Sequence, residues 1–180
     1  GVSRLEHLDP PQFFERLEKQ DGHKLLEWCG ELYFELHRGT YTSQAACKQY
    51  NRRCEALLQS ADFMAVLHAK VCEQHGDVHK TALEGAWKSV LLNQFHDVLP
   101  GSSINKVYKD AEALYEQVQY SIGRLIFDAM SDIVDRQGQN SQHTGSTLTV
   151  FNTLPFPRSE VIKVPDADTI AVIENIPPFS

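Results

Sequence analysis

Two adjacent side chains, His96 and Asp97, are the best equipped in this chain to do chemistry. An imidazole ligates zinc or cobalt well, and a neighbouring carboxylate can either ligate or orient. The pair sits in Gln94-Phe95-His96-Asp97-Val98-Leu99-Pro100-Gly101-Ser102-Ser103, where one long helical pattern stops and another starts. Helix ends carry unpaired backbone groups, so such a junction is a good place to hold a metal or a polar ligand. A solvated turn is the competing reading of the same pair. One histidine does not make a metal centre, because structural zinc takes about four protein ligands and catalytic zinc about three. His75 and His79 are spaced i,i+4 but straddle the Gly76-Asp77 break. His7, His23, His37, His68 and His143 are scattered and expected to be exposed.

The elements that must position the pair are legible from periodicity. Asp9-Pro10 is a helix start, a capping carboxylate followed by proline at the first helical position, and Phe13, Phe14 and Leu17 carry that helix to about Asp21-Gly22. Leu32, Phe34 and Leu36 then alternate with Tyr33, Glu35 and His37, the pattern of a half-buried strand. Thr42 or Ser43 is placed to cap a long helix whose stripe is Cys47, Tyr50, Cys54, Leu57, Ala61, Met64, Leu67 and Val71. A second helix spans about Val78 to Gln94, with Leu83, Ala86, Trp87, Val90 and Leu91 on its apolar face; Pro100-Gly101 cannot continue it. The third starts with Ser102 or Ser103 as cap and carries Ile104, Val107, Ala111, Leu114, Val118, Ile122, Leu125, Ala129 and Ile133. Gln137–Ser146 reads as a polar linker, and Thr147–Phe151 and Val161–Val164 as strands. A few strands with open edges make no stable sheet alone, so this tail is expected to be loosely ordered or paired by further chain.

The predicted fold is therefore mainly α: an antiparallel three-helix bundle with a short N-terminal α/β segment and C-terminal β-strands. The expected boundaries are 1–40, 41–137 for the bundle, 138–146 for the linker and 147–180 for the start of a β domain. At 180 residues, 42% hydrophobic and 23% charged, the chain has matter for a core. A net charge of -7 argues against a nucleic-acid partner, since phosphate binding needs clustered Lys and Arg. No apolar run approaches the roughly 18 residues that span a bilayer. Cys29, Cys47, Cys54 and Cys72 have neither CxxC nor zinc-finger spacing, and no Asn-x-Ser/Thr acceptor occurs. Both features fit the cytoplasm. The abrupt Gly1-Val2-Ser3 opening, with no signal-peptide pattern, reads as that of an excised segment.

The Gln94–Ser103 block closely resembles the middle segment of family 38 glycoside hydrolases, the retaining α-mannosidases. The block Gly30-Glu31-Leu32-Tyr33-Phe34-Glu35-Leu36-His37-Arg38-Gly39-Thr40-Tyr41-Thr42-Ser43 is similar to the cytosolic branch of that family, and the two occur in the family's order. The resemblance implies that His96 is a ligand of one divalent metal, zinc or cobalt, and that Asp97 hydrogen-bonds the bound mannose. The remaining metal ligands, the nucleophile and the acid/base carboxylate would lie upstream, in an N-terminal barrel. The implied substrate is an α-mannoside oligosaccharide, and the implied partners are the barrel and the C-terminal β domain of the same parent chain. His37, Arg38 and Tyr41 are lesser substrate-contact candidates, with a structural role at the junction equally open. Alone, the segment would be inactive and could dimerise through an orphaned apolar face. The rival reading is a helical scaffold or docking module without catalytic role.

Overall fold

A computed structural model describes residues 5–73, 79–138, 147–164 and 168–180. The chain divides into two compact units, residues 1–38 and 39–180. His75, His143 and most of the polar linker lie outside the described residues.

In the first unit, α1 (Pro10–Asp21) begins as the sequence dictates: Asp9 Oδ1 accepts from the Gln12 N–H at 2.9 Å, with proline in the first turn. No residue of α1 is buried. The strand expected across Leu32, Phe34 and Leu36 does not form. Phe34 takes φ 41°, the His37 N–H closes a turn onto the Phe34 carbonyl at 2.7 Å, and all three apolar side chains are exposed. Alternation specifies a strand only where a neighbouring strand takes up its hydrogen bonds, and among the described residues none pairs with this stretch. Among its described residues the N-terminal segment is helical and irregular, without the strand of an α/β segment.

The second unit is the bundle. Helices α2 (Ala45–Val71), α3 (Lys80–Asn93) and α4 (Asn105–Gly138) run up, down and up. The direction is fixed by cross-helix contacts. Asn51 and His68 of α2 meet Tyr115 and Asp132 of α4 in the same order, whereas Gln94 at the end of α3 returns to Asn51. The core consists of Cys54, Leu58, Ala61, Val90, Tyr115 and Ile122 with their neighbours, each of these six at 1% exposure or less. Burying one such aliphatic side chain contributes about 1.5–3 kcal/mol.

The stripe of α2 is rotated slightly from the apolar reading. Its deepest line runs Cys47, Asn51, Cys54, Leu58, Ala61, Met64 and His68, leaving Tyr50, Leu57 and Leu67 half-buried. His68, expected at the surface, is 3% exposed. Asn51 and His68 are tolerated inside because each finds hydrogen-bond partners there. The expected caps also differ. Gln44, in the left-handed region with φ 52°, precedes α2 without a side-chain cap, and Ser102 and Ser103 turn their hydroxyls to Asp97 instead of to α4.

Beyond α4, the strand expected over 147–151 is not formed among the described residues, and this stretch leads into Asn152, which is 1% exposed. Its amide donates to the Phe156 and Pro177 carbonyls at 2.9 and 2.8 Å, and its Oδ1 accepts from the Leu154 N–H at 3.1 Å. β1 (Arg158–Lys163) and β2 (Ile170–Ile176) form an antiparallel pair with Val161 opposite Val172. The tail is thus paired within the chain. It is tied to α2 by a Ser60–Thr153 hydroxyl contact of 3.0 Å and by the Phe63 and Phe179 rings, 5.3 Å apart.

Candidate functional site

The segment between α3 and α4 is short, turned and held from three sides. Gln94 caps α3, and its side-chain amide donates to Asn51 Oδ1 at 3.1 Å and Glu55 Oε1 at 2.9 Å on α2. Successive turns follow, with the Val98 and Leu99 N–H groups donating to the Phe95 carbonyl at 2.8 and 3.2 Å. Val98 and Leu99 pack on the core from the loop. Lys48 of α2 donates through its ammonium to the Leu99 carbonyl at 2.9 Å, and also to those of Ser43 and Pro100. An ammonium offers three donors and no acceptor, so three carbonyls suit it.

Gly101 is required by its position. Its φ of 95° disfavours any side chain, and a Cβ there would lie 2.8 Å from Ser43 Cβ. On the far side, the Ser103 hydroxyl donates to the Asp97 carbonyl at 2.5 Å, and the Ser103 N–H donates to the Tyr108 hydroxyl at 2.7 Å. The Ser102 hydroxyl reaches Asp97 Oδ1 at 3.4 Å.

On this fixed loop the two candidate side chains face outward. His96 Nε2 lies 3.3 Å from Asp97 Oδ2, and the two side chains are 78% and 56% exposed. The Phe95 ring lies against the imidazole, with centroids 4.2 Å apart. The backbone beneath is pinned while the functional atoms remain open to a ligand, which is the arrangement a donor site needs. Among the described residues, no group of three or more His, Cys, Asp or Glu is placed to share a metal ion. What the loop itself presents is an imidazole donor and an adjacent carboxylate acceptor.

The lesser candidates are divided between the two units. His37 and Arg38 belong to the first unit and are exposed, with Arg38 pairing with Glu35. Tyr41, in the second unit, is half exposed. Sequence reading missed the supports: Lys48, Ser43, Tyr108 and the Gln94–Asn51–Glu55 set. Gly101 after Pro100 was the visible sign of a tight turn; nothing in the local sequence of Lys48 marks it as the loop's anchor.

Fold and site together define a class, a helical-bundle module whose connection between the second and third helices of its bundle displays a histidine–aspartate pair. Residues 35–133 match the profile of the alpha mannosidase middle domain. The chain is 46% identical over 157 residues to an alpha-mannosidase of Saccharomyces cerevisiae, an alignment covering 84% of this chain and 14% of that protein. It is 40% identical over 153 residues to alpha-mannosidase G of Dictyostelium discoideum, covering 84% and 13%. With alpha-mannosidase 2C1 of Mus musculus the identity is 36% over 166 residues, covering 92% and 15%. The chain belongs to the α-mannosidase family, with the middle domain at its centre. It spans about one-seventh of the length of the curated relatives it matches.

Proposed function

We propose that this chain is the segment of a retaining, divalent-metal-dependent α-mannosidase that contributes one metal ligand, His96, and one sugar-contacting carboxylate, Asp97. The observation that carries the reading is the pinned loop of Gln94 to Ser103: Lys48 and Ser103 hold its backbone and the Gln94 amide its start, while the imidazole and the carboxylate stay exposed, with the Ser102 hydroxyl reaching Asp97 Oδ1. The residues fit the group: an accessible imidazole is a good donor to zinc or cobalt, and a charged acceptor beside it suits a sugar hydroxyl. Bound there, the metal supplies charge stabilisation and a grip on sugar hydroxyls.

Retaining hydrolysis needs two carboxylates about 5 Å apart, one attacking and one protonating the leaving oxygen. Both are assigned here to the parent's upstream barrel, so the segment by itself is inactive. Its substrate class is the α-mannoside oligosaccharide. Four free cysteines and the lack of an Asn-x-Ser/Thr acceptor support the cytosol as its compartment. Among the described residues no helix is long and apolar enough to cross a membrane.

The test is the His96→Ala variant of the intact parent, measured for metal content and α-mannoside hydrolysis beside the unaltered enzyme. Loss of both with the fold retained is the expected result. A variant that keeps its metal and full turnover overturns the assignment and leaves this chain as a helical scaffold.

A further inference from the structure

At the end of the bundle opposite the His96 loop, three elements meet through a buried imidazole. His68 of α2 is 3% exposed; its Nε2 lies 3.0 Å from Asp132 Oδ2 on α4, and its Nδ1 lies 3.2 Å from Nε2 of His79, the residue before α3. The two rings are 5.2 Å apart and tilted by 55°. This row of groups plays no part in the site described above.

Counting protons shows what it can do. With both rings neutral, His68 Nε2–H donates to Asp132 and His79 Nε2–H donates to His68 Nδ1, so every facing atom is satisfied. One added proton is accommodated, either on Nδ1 of His79 or on His68 with a change of tautomer in His79. A second added proton is not. Both facing nitrogens would then carry hydrogen, two cations would stand in contact, and the bond between them would be lost.

We propose that His68 and His79 form a one-proton latch that holds the start of α3 to α2 and α4 and opens when the second imidazole is protonated. Among the described residues, the charged group acting on the pair from α4 is Asp132. Arg136, one turn further along α4, pairs with Glu73 just past α2 at 3.3 Å, and Lys80 beside His79 acts on Glu84. Cys72 lies one turn beyond His68 on α2. Burial, and then the His68 imidazole, hold His79 below the usual imidazole value of 6.5, against the opposing pull of Asp132. The sign follows. A depressed imidazole leaves the unfolded chain binding more protons in acid, so the latch's stability is complete above about pH 6.5 and is lost as pH falls.

The test compares urea unfolding of this chain with that of its His79→Gln variant between pH 8 and pH 5, together with NMR titration of the histidine ring carbons. Glutamine keeps a donor for His68 and does not titrate. We expect the unfolding equilibrium constant of the unaltered chain to climb below pH 6.5 by up to about tenfold per pH unit more steeply than that of the variant. We also expect the His68 and His79 resonances to move together in two separated steps. Equal pH slopes in the two proteins, or two independent single-step titrations, overturn the latch. So does stoichiometric zinc shifting both resonances at neutral pH, which would make the pair a metal site. If the variant fails to fold, the titration of the unaltered chain decides by itself.

Discussion

Asp97 does two jobs that can be separated chemically. Its backbone carbonyl receives Ser103 and holds the loop, while its carboxylate faces outward beside His96 and takes the Ser102 hydroxyl at 3.4 Å, a bond that an amide oxygen can also accept. Asp97→Asn keeps the first and removes the charge. We expect an unchanged melting temperature, with α-mannoside hydrolysis by the parent falling about ten- to a hundredfold, the range set by hydrogen bonds to charged groups of ~1.5–3 kcal/mol. Steady-state kinetics and a thermal melt on the same preparation check both halves. At this scale the sequence was uneven evidence. The adjacency of His96 and Asp97 was plain on the page, as was the chemistry those two groups permit. His68 was not, because a histidine in an otherwise apolar stripe reads as surface until Asp132, sixty-four residues away, is known to meet it.

The loop's rigidity is a property of elements, and it rests on contacts of long sequence separation. Gly101→Ala would force a side chain into a left-handed backbone and against Ser43. A loss of about 1–3 kcal/mol is expected in chemical denaturation. Lys48→Met leaves three loop and helix-start carbonyls without their cation, and a similar ~1–3 kcal/mol should be lost. If the loop aims His96, both variants also lower metal retention in the parent, which competition with a chelator would measure. Leu58→Ala, which removes none of the loop's hydrogen-bond partners, should instead cost about 2–5 kcal/mol with metal retention unaltered in the folded fraction. Helix existence was legible from the three- and four-residue spacings, because burial rewards that period directly. The strand expected at Leu32–Leu36 failed, and β2 went unread although Ile170, Val172 and Ile173 carry its signal, because pairing partners are not written into local alternation.

For the whole molecule, thiol chemistry reports integrity. Cys29 is exposed, whereas Cys47 and Cys54 are buried, and burial pushes both of those thiols upward, away from reactive thiolate. A maleimide should label Cys29 promptly and leave Cys47 and Cys54 silent until the bundle unfolds, a pattern that mass spectrometry of the labelled peptides would confirm. The up-down-up path also sets an order of assembly. Lys48 leaves the ribosome fifty-one residues before Leu99, the carbonyl it holds, and Asn51 forty-three before the Gln94 amide it receives. Throughout that interval of translation the anchors of the loop exist without anything to anchor. A nascent chain stalled before Leu99 would present a cationic lysine at the start of α2 with no loop beneath it, and His96, already synthesised, would hang on an unshaped end. The donor becomes directional only once the polypeptide has gone up, come down and begun to rise again.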